Sequence, residues 1–521
     1  MAASLRLGDS DFLHSGRDIC GFRRPFREQS ETRDVNKRFQ RRDSGARRLL
    51  GPFRQLAFRP VLGVGGLDNP MTSLAIKDDF LKRLLFLLIL LWGLLITYTT
   101  TLYELKGFLV SLLIIPFVFA SMMAPFVSLA ITTLGGTTFV RLFMAMAGIE
   151  TAYVLYVALG IFALFGGIVL YFKNKQAKIE LYSADFFFIL LLMIFSLGLF
   201  YSADPERGLL KVGTFVVGGF FPYFALLPLR GEIKSLKKLM WLGIAILAIT
   251  SVATTGAIIV NGVSNWQRFT FANAGPISFS RNFALTTLLS IMLFDYFKNK
   301  NMRIAMLLLA LLSLAILVAV ATRGPVIALA GALIIHFLFF SEMSLPKRVF
   351  TVAIMGAFGA FIAFRLFDFL IVRMSAIQGA EFSAVGRVYL WKIAFSKLFE
   401  TPLWGFGTSS FQSLLTSFGK GADLHYPHNI WLEYYLEWGI IGLGVLLLFL
   451  FSIVKKGFKF LLSQDMTSDQ RAMLKISLTL FFFALANCQV SGDFSSNREL
   501  WIFSSFVLAS SSYHRKSCTS Q

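Results

Sequence analysis

Residues 428–454 read HNIWLEYYLEWGIIGLGVLLLFLFSIV, with two carboxylates near the start and no charge from Trp438 to Val454. A bilayer core about 30 Å thick is crossed by about 20 apolar residues in helical conformation, so this run predicts a transmembrane helix. Comparable runs recur over roughly 84–101, 108–128, 130–147, 150–172, 184–202, 208–229, 236–260, 281–297, 303–321, 325–340, 349–371, 473–490 and 499–511. With 428–454 they make fourteen candidates, of which 130–147 and 499–511 are the weakest. The predicted fold is all-α, a polytopic integral membrane protein with about 12, and up to 14, transmembrane helices.

Composition agrees with that reading. Hydrophobic residues make up 56% of the 521 and charged residues 15%, well above the roughly 45–50% apolar content of soluble domains, which excludes a soluble globule. The net charge of +21 would suggest nucleic acid in a soluble chain, but here the basic residues gather in alternate connections, where they set orientation in a membrane. The clusters are Lys77, Lys82 and Arg83; Lys173, Lys175 and Lys178; Lys234, Lys237 and Lys238; Lys298, Lys300 and Arg303; Lys347 and Arg348; Lys455, Lys456 and Lys459; Arg515 and Lys516. That parity puts both termini in the cytoplasm and makes membrane lipid, with no nucleic acid, the expected partner. The other connections, 203–207, 261–280, 372–427 and 491–498, are then external, and 372–427 is the one long external loop. The spans read as nearly free of charge, Arg141 and Arg365 being the main exceptions.

Residues 1–70 differ from the rest. They hold thirteen arginines and one lysine, Lys37, with no apolar core of a secretory signal. They are expected to be a disordered basic tail, or sequence upstream of a start at Met71, with a polytopic domain over 71–515. Cys20, Cys488 and Cys518 offer no paired or metal-spaced set.

The residues able to carry chemistry collect on the external side: Arg323 in a tight Thr322-Arg323-Gly324-Pro325 turn between two spans, Arg387, His425 and His428, with Arg281 and Arg498 at other span ends and Asp493 in the last external loop. Arginines kept on that side, against the positive-inside bias, imply an anionic partner. For Arg281 and Arg498 the simpler expectation is that they snorkel to lipid headgroups. A helix begun at Pro427 and followed straight from His428 puts Tyr435, Gly439 and Gly442 within about 40° of His428, with Glu433 and Glu437 on the far side. The glycine face would admit another helix or a substrate. A histidine at such a boundary, beside arginines, suits a general base near neutral pH.

His428-Asn429 followed by Gly439-x-x-Gly442 resembles the signature of bacterial O-antigen ligases. Thr322-Arg323-Gly324, and Gly386-Arg387 with Trp391 followed by Pro402-x-x-Gly405-x-Gly407 and Phe411, resemble further motifs of the O-antigen ligase and polymerase superfamily. The resemblance covers about residues 80–510 and implies about twelve spans. It implies a periplasm-facing active site in the bacterial inner membrane, an undecaprenyl-pyrophosphate-linked glycan as donor, a lipid A-core sugar hydroxyl as acceptor, and an inverting, metal-independent glycosyl transfer without cofactor in lipopolysaccharide biosynthesis. His428 would be the catalytic base, Arg323 and Arg387 would hold pyrophosphate, and Asn429, Gly439, Gly442, Arg281, Asp493 and Arg498 would support them. A polymerase of the same superfamily is the nearer alternative. A multi-span transporter of anionic lipid or sugar is the other, though it would want charge near mid-span. A metal set of His425, His428 and Asp423 is disfavoured because Pro427 disrupts helical spacing.

Overall fold

The structure, a computed structural model, describes residues 121–135, 152–173, 180–261, 276–320, 322–365, 380–416, 426–464, 466–490 and 492–512. All lie in the second of the two units into which the chain divides, Asn69–Gln521. The calls on residues 1–70, the span 84–101, Arg141, His425 and Asp423 fall outside the described residues.

Among the described residues every regular element is helical. The first are α1 (Pro125–Gly135), α2 (Ala152–Lys173), α3 (Ser183–Leu197) and α4 (Pro205–Leu229). There follow α5 (Ile233–Asn261), α6 (Pro276–Tyr296), α7 (Lys300–Val320), α8 (Arg323–Phe340) and α9 (Leu345–Arg365). The chain then forms α10 (Ala380–Ser396), α11 (Phe411–Thr416), α12 (Ile430–Leu461), α13 (Ser468–Asn487) and α14 (Arg498–Ser510). The protein is an all-α membrane protein. Six of these helices are long and apolar enough to cross a membrane: α5, α6, α7, α8, α12 and α4, while α1, α3 and the stretch Leu159–Lys173 are shorter apolar helices.

Local chemistry explains the helix starts. Pro205 opens α4 behind Asp204, whose carboxylate accepts from the Arg207 N–H at 3.1 Å. Thr467 and Gln470 form a capping box on α13. One expected boundary is absent: α1 runs unbroken through the junction drawn at 128–130. Ser128, Thr132 and Thr133 are all buried, and the two threonines bond back to helix carbonyls, Thr133 to Leu129 at 2.6 Å, so their polarity is absorbed inside the helix instead of marking a turn. The stretch read as the long loop 372–427 also contains helical structure, α10 and α11.

α6 and α7 form an antiparallel hairpin, α8 packs on α13, α13 on α14, and α12 on α3. An aromatic knot joins α3, α4, α12 and α14: Phe195 lies 4.3 Å from both Trp438 and Phe494, and Phe215 lies 5.5 Å from Trp501. Rings this large and fully buried contribute area and orientation preference together. The lysine-bearing ends meet away from this knot, where Lys237 pairs with Asp469, and Lys475 with Glu342 at 2.9 Å. The starts of α4, α6, α12 and α14 meet at the other end.

Candidate active site

His428 stands just outside the helix it was expected to head. α12 starts at Ile430, and Asn429 is its cap: the Asn429 side-chain oxygen accepts from the N–H groups of Trp431 at 3.1 Å and Leu432 at 3.2 Å. His428 is left in the preceding turn at φ 55°, a left-handed conformation that a side chain adopts only when its surroundings impose it. Two neighbours do so. Trp391 of α10 donates its indole N–H to the Pro427 carbonyl at 2.8 Å, and the Tyr426 ring meets the imidazole edge-on, centroids 4.4 Å apart. Arg387 lies one helical turn before Trp391, on the same side of α10.

The glycines also do something other than expected. Gly439 has φ 65° and breaks α12, so the straight-helix projection from His428 does not hold. Carbonyls freed by the kink are taken by the 402–407 turn: Phe406 N–H donates to Leu436 at 2.8 Å and Gly407 N–H to Glu437 at 2.9 Å. A Cβ on Gly439 would lie 2.1 Å from the Leu403 oxygen, and one on Gly405, itself at φ 81°, would lie 2.3 Å from the Glu437 oxygen. A Cβ on Gly442 would lie 2.3 Å from the Trp438 side chain. The glycine face admits this chain's own turn, not another helix or a substrate.

Electrostatics around His428 follow from its neighbours. Burial pushes the imidazole down to about 4, with Arg387 and then Arg281 adding to the shift, while Asp493 pulls the other way. The ring is therefore neutral at physiological pH, and its buried Nδ1 has no hydrogen-bond partner among the described residues. Burial likewise pushes the adjacent Tyr426 hydroxyl up to about 12, so it stays protonated.

Arg281 and Arg498 do not snorkel. Arg281 is buried, and its guanidinium donates to the Asn497 side chain at 2.8 Å and the Ser496 carbonyl at 3.2 Å, with Glu499 at 3.5 Å. Arg498 is buried too and donates to the Thr132 carbonyl at 2.9 Å. Both find protein acceptors at the start of α14 and in α1, which removes any need to reach for headgroups. Asp493 is half-buried. Its carboxylate accepts from the Ser496 N–H at 2.8 Å and from the Ser495 hydroxyl, fixing the turn that enters α14.

The spans are not nearly charge-free. Lys211 of α4 is buried with its ammonium 2.6 Å from Glu433 and 2.8 Å from Glu437, both fully buried on α12. The second oxygen of Glu437 accepts from the Ser409 N–H at 2.9 Å, and that of Glu433 from the Phe494 N–H at 3.0 Å. The cluster thus ties together α4, α12, the turn after Gly407 and the turn carrying Asp493. Its signal was a lone lysine in one apolar run and an i, i+4 glutamate pair in another.

Arg323 is the first residue of α8 and is exposed. The cations that act on His428 are Arg387 and Arg281. The structure so gathers His428, Arg387, Arg281 and Asp493, while Arg323 opens α8 with its side chain exposed.

Residues 308–448 match the family described as O-antigen ligase. This segment is similar to the O-antigen ligase family. It runs from α7 to the kinked part of α12 and contains Arg323, Arg387, His428, Asn429, Gly439 and Gly442. Arg281, Asp493, Arg498 and Lys211 lie outside it. No curated protein matches the chain. The match supports a likeness, over this segment, to the O-antigen ligase and polymerase superfamily.

Proposed function

We propose that the chain is an O-antigen ligase, transferring a glycan from an undecaprenyl-pyrophosphate donor to a sugar hydroxyl of a lipid A-core acceptor at the periplasmic face of the inner membrane. The observation that carries the reading is a buried imidazole, held neutral first by its burial and then by Arg387 and Arg281, within a segment that matches the O-antigen ligase family. A sugar hydroxyl is a poor nucleophile and needs a base, which is the role of His428. The acceptor oxygen bonds to the anomeric carbon and its proton passes to His428. The bond from that carbon to the phosphate oxygen breaks, and its electron pair leaves with the lipid pyrophosphate. Attack opposite the leaving group inverts the anomeric centre. Arg387 and Arg323 offer planar forks to the phosphate oxygens, and Arg281 adds positive potential.

An imidazole titrating near 4 is a weak base in the resting chain. An anionic pyrophosphate offsets the cations that depress it, so the base strengthens when donor is bound. Positions 372–427 carry five basic residues against three acidic, which suits a phosphate-bearing core acceptor and favours ligase over polymerase. The test is a strain lacking the chain. The ligase reading predicts full-length glycan accumulating on the lipid carrier with bare core at the surface. Single repeat units capping the core would show a polymerase instead.

A further inference from the structure

The end of the bundle that carries His428 also exposes a set of large apolar side chains that the glycosyl-transfer reading does not use. On α10, Val388 and Phe395 are exposed on one side, while Leu390, Ile393 and Ala394 are buried on the other. Phe399 follows in the tight turn Leu398–Glu400 and is fully exposed, at 100%, and beyond it Leu403 and Trp404 are 65% and 57% exposed. In water such a contiguous surface is unfavourable and marks an interaction site.

What covers it is read from its continuity with the spans. Exposed Phe186, Ile189, Met193 and Leu197 make one apolar stripe along α3, with the spacing of a single helix face. The stripe leads to exposed Phe200 and then Tyr201, whose hydroxyl donates to the Trp404 carbonyl at 2.8 Å. On α12, exposed Ile440, Ile441, Leu447, Leu448 and Phe451 make a second stripe, and the Ile441 N–H meets the Leu403 carbonyl at 3.4 Å. Leu403 and Trp404 therefore sit at the head of two outward-facing apolar stripes. Lys392, exposed between Val388 and Phe395, has a stem long enough to lie along apolar surface with its ammonium among phosphates. An aromatic pair beside a lysine at the end of spans is the chemistry of a membrane–water interface.

We propose that α10 and the turn after it lie in the headgroup boundary of the bilayer, with Val388, Phe395, Phe399, Leu403 and Trp404 seated in the leaflet. Arg387, adjacent to Val388, is thereby held at headgroup depth. The interfacial helix then carries Trp391, the residue that fixes the turn before His428, so a lipid-anchored anion reaches the site without leaving the membrane.

The experiment reads immersion, not activity, and so stands or falls separately from the transferase reading. The full chain, with Cys20 and Cys518 replaced by serine, is reconstituted in vesicles of phosphatidylethanolamine and phosphatidylglycerol. Nitroxide labels are placed one at a time through Val388→Cys, Phe399→Cys and Trp404→Cys. Met193→Cys serves as the lipid reference and Glu342→Cys as the aqueous one. Collision with oxygen exceeding collision with a water-soluble nickel chelate at all three sites, as at Met193, is the expected result. Chelate collision dominating at these sites, as at Glu342, would overturn the proposal and leave the patch to a soluble partner.

Discussion

Replacing Lys211 by methionine removes the cation that pairs with both Glu433 and Glu437 while keeping side-chain length. Both carboxylates are fully buried, and each keeps one backbone N–H, from Phe494 or Ser409. Breaking a buried ion pair from one side costs about 3–5 kcal/mol, mostly the penalty of stranding the remaining charge. At ~2 °C per kcal/mol for a large chain, the apparent melting midpoint should fall by roughly 6–10 °C. The triple variant Lys211→Met, Glu433→Gln, Glu437→Gln keeps an acceptor for each N–H but buries no charge. Neutral replacement of a buried ion cluster is often close to cost-free, so the triple variant should melt within about 2 °C of the parent chain. The assay is intrinsic fluorescence during heating in detergent at one fixed scan rate, because unfolding of such a chain is irreversible and its midpoint depends on rate. A triple variant less stable than Lys211→Met would refute the argument, since the glutamates would then be stabilising without their lysine.

Three further outcomes are expected. Arg387→Lys and Arg323→Lys should each weaken donor binding and lose most transfer, because an ammonium cannot reproduce a two-point fork on phosphate; unchanged binding in either would remove that residue from the pyrophosphate site. Arg387→Gln removes a cation that depresses His428, so the acid limb of kcat/KM against pH, set by protonation of the free base, should move upward, toward the ordinary histidine range; an unmoved limb would separate Arg387 from His428. Gly439→Ala should be poorly folded, since its Cβ would lie 2.1 Å from the Leu403 oxygen at a φ of 65°, and a normally stable variant would show that the turn yields more than the packing implies.

The six long apolar helices were legible in the sequence because a run of about 20 apolar residues has few other solutions. The junction at 128–130 was not, because the polarity of Ser128 is absorbed by buried hydrogen bonds that the sequence does not show. His428 and Arg387 were legible by residue type and motif. The partners of Arg281, Arg498 and Lys211 were not, because each lies hundreds of residues away: Asn497 for Arg281, Thr132 for Arg498, Glu433 and Glu437 for Lys211. The glycine pattern was visible but its use was not. Gly405, Gly407 and Gly439 say that two backbones approach closely without saying which two.

The central claim is that His428 accepts the proton of the acceptor hydroxyl. Its most direct test is single-turnover transfer by purified His428→Ala with lipid-pyrophosphate donor and core acceptor, alongside donor binding and the melting midpoint. Losing a positioned base should slow transfer by about 10²–10⁴-fold, while donor binding and melting stay close to those of the parent chain. Transfer by His428→Ala at near the parent rate would contradict the assignment.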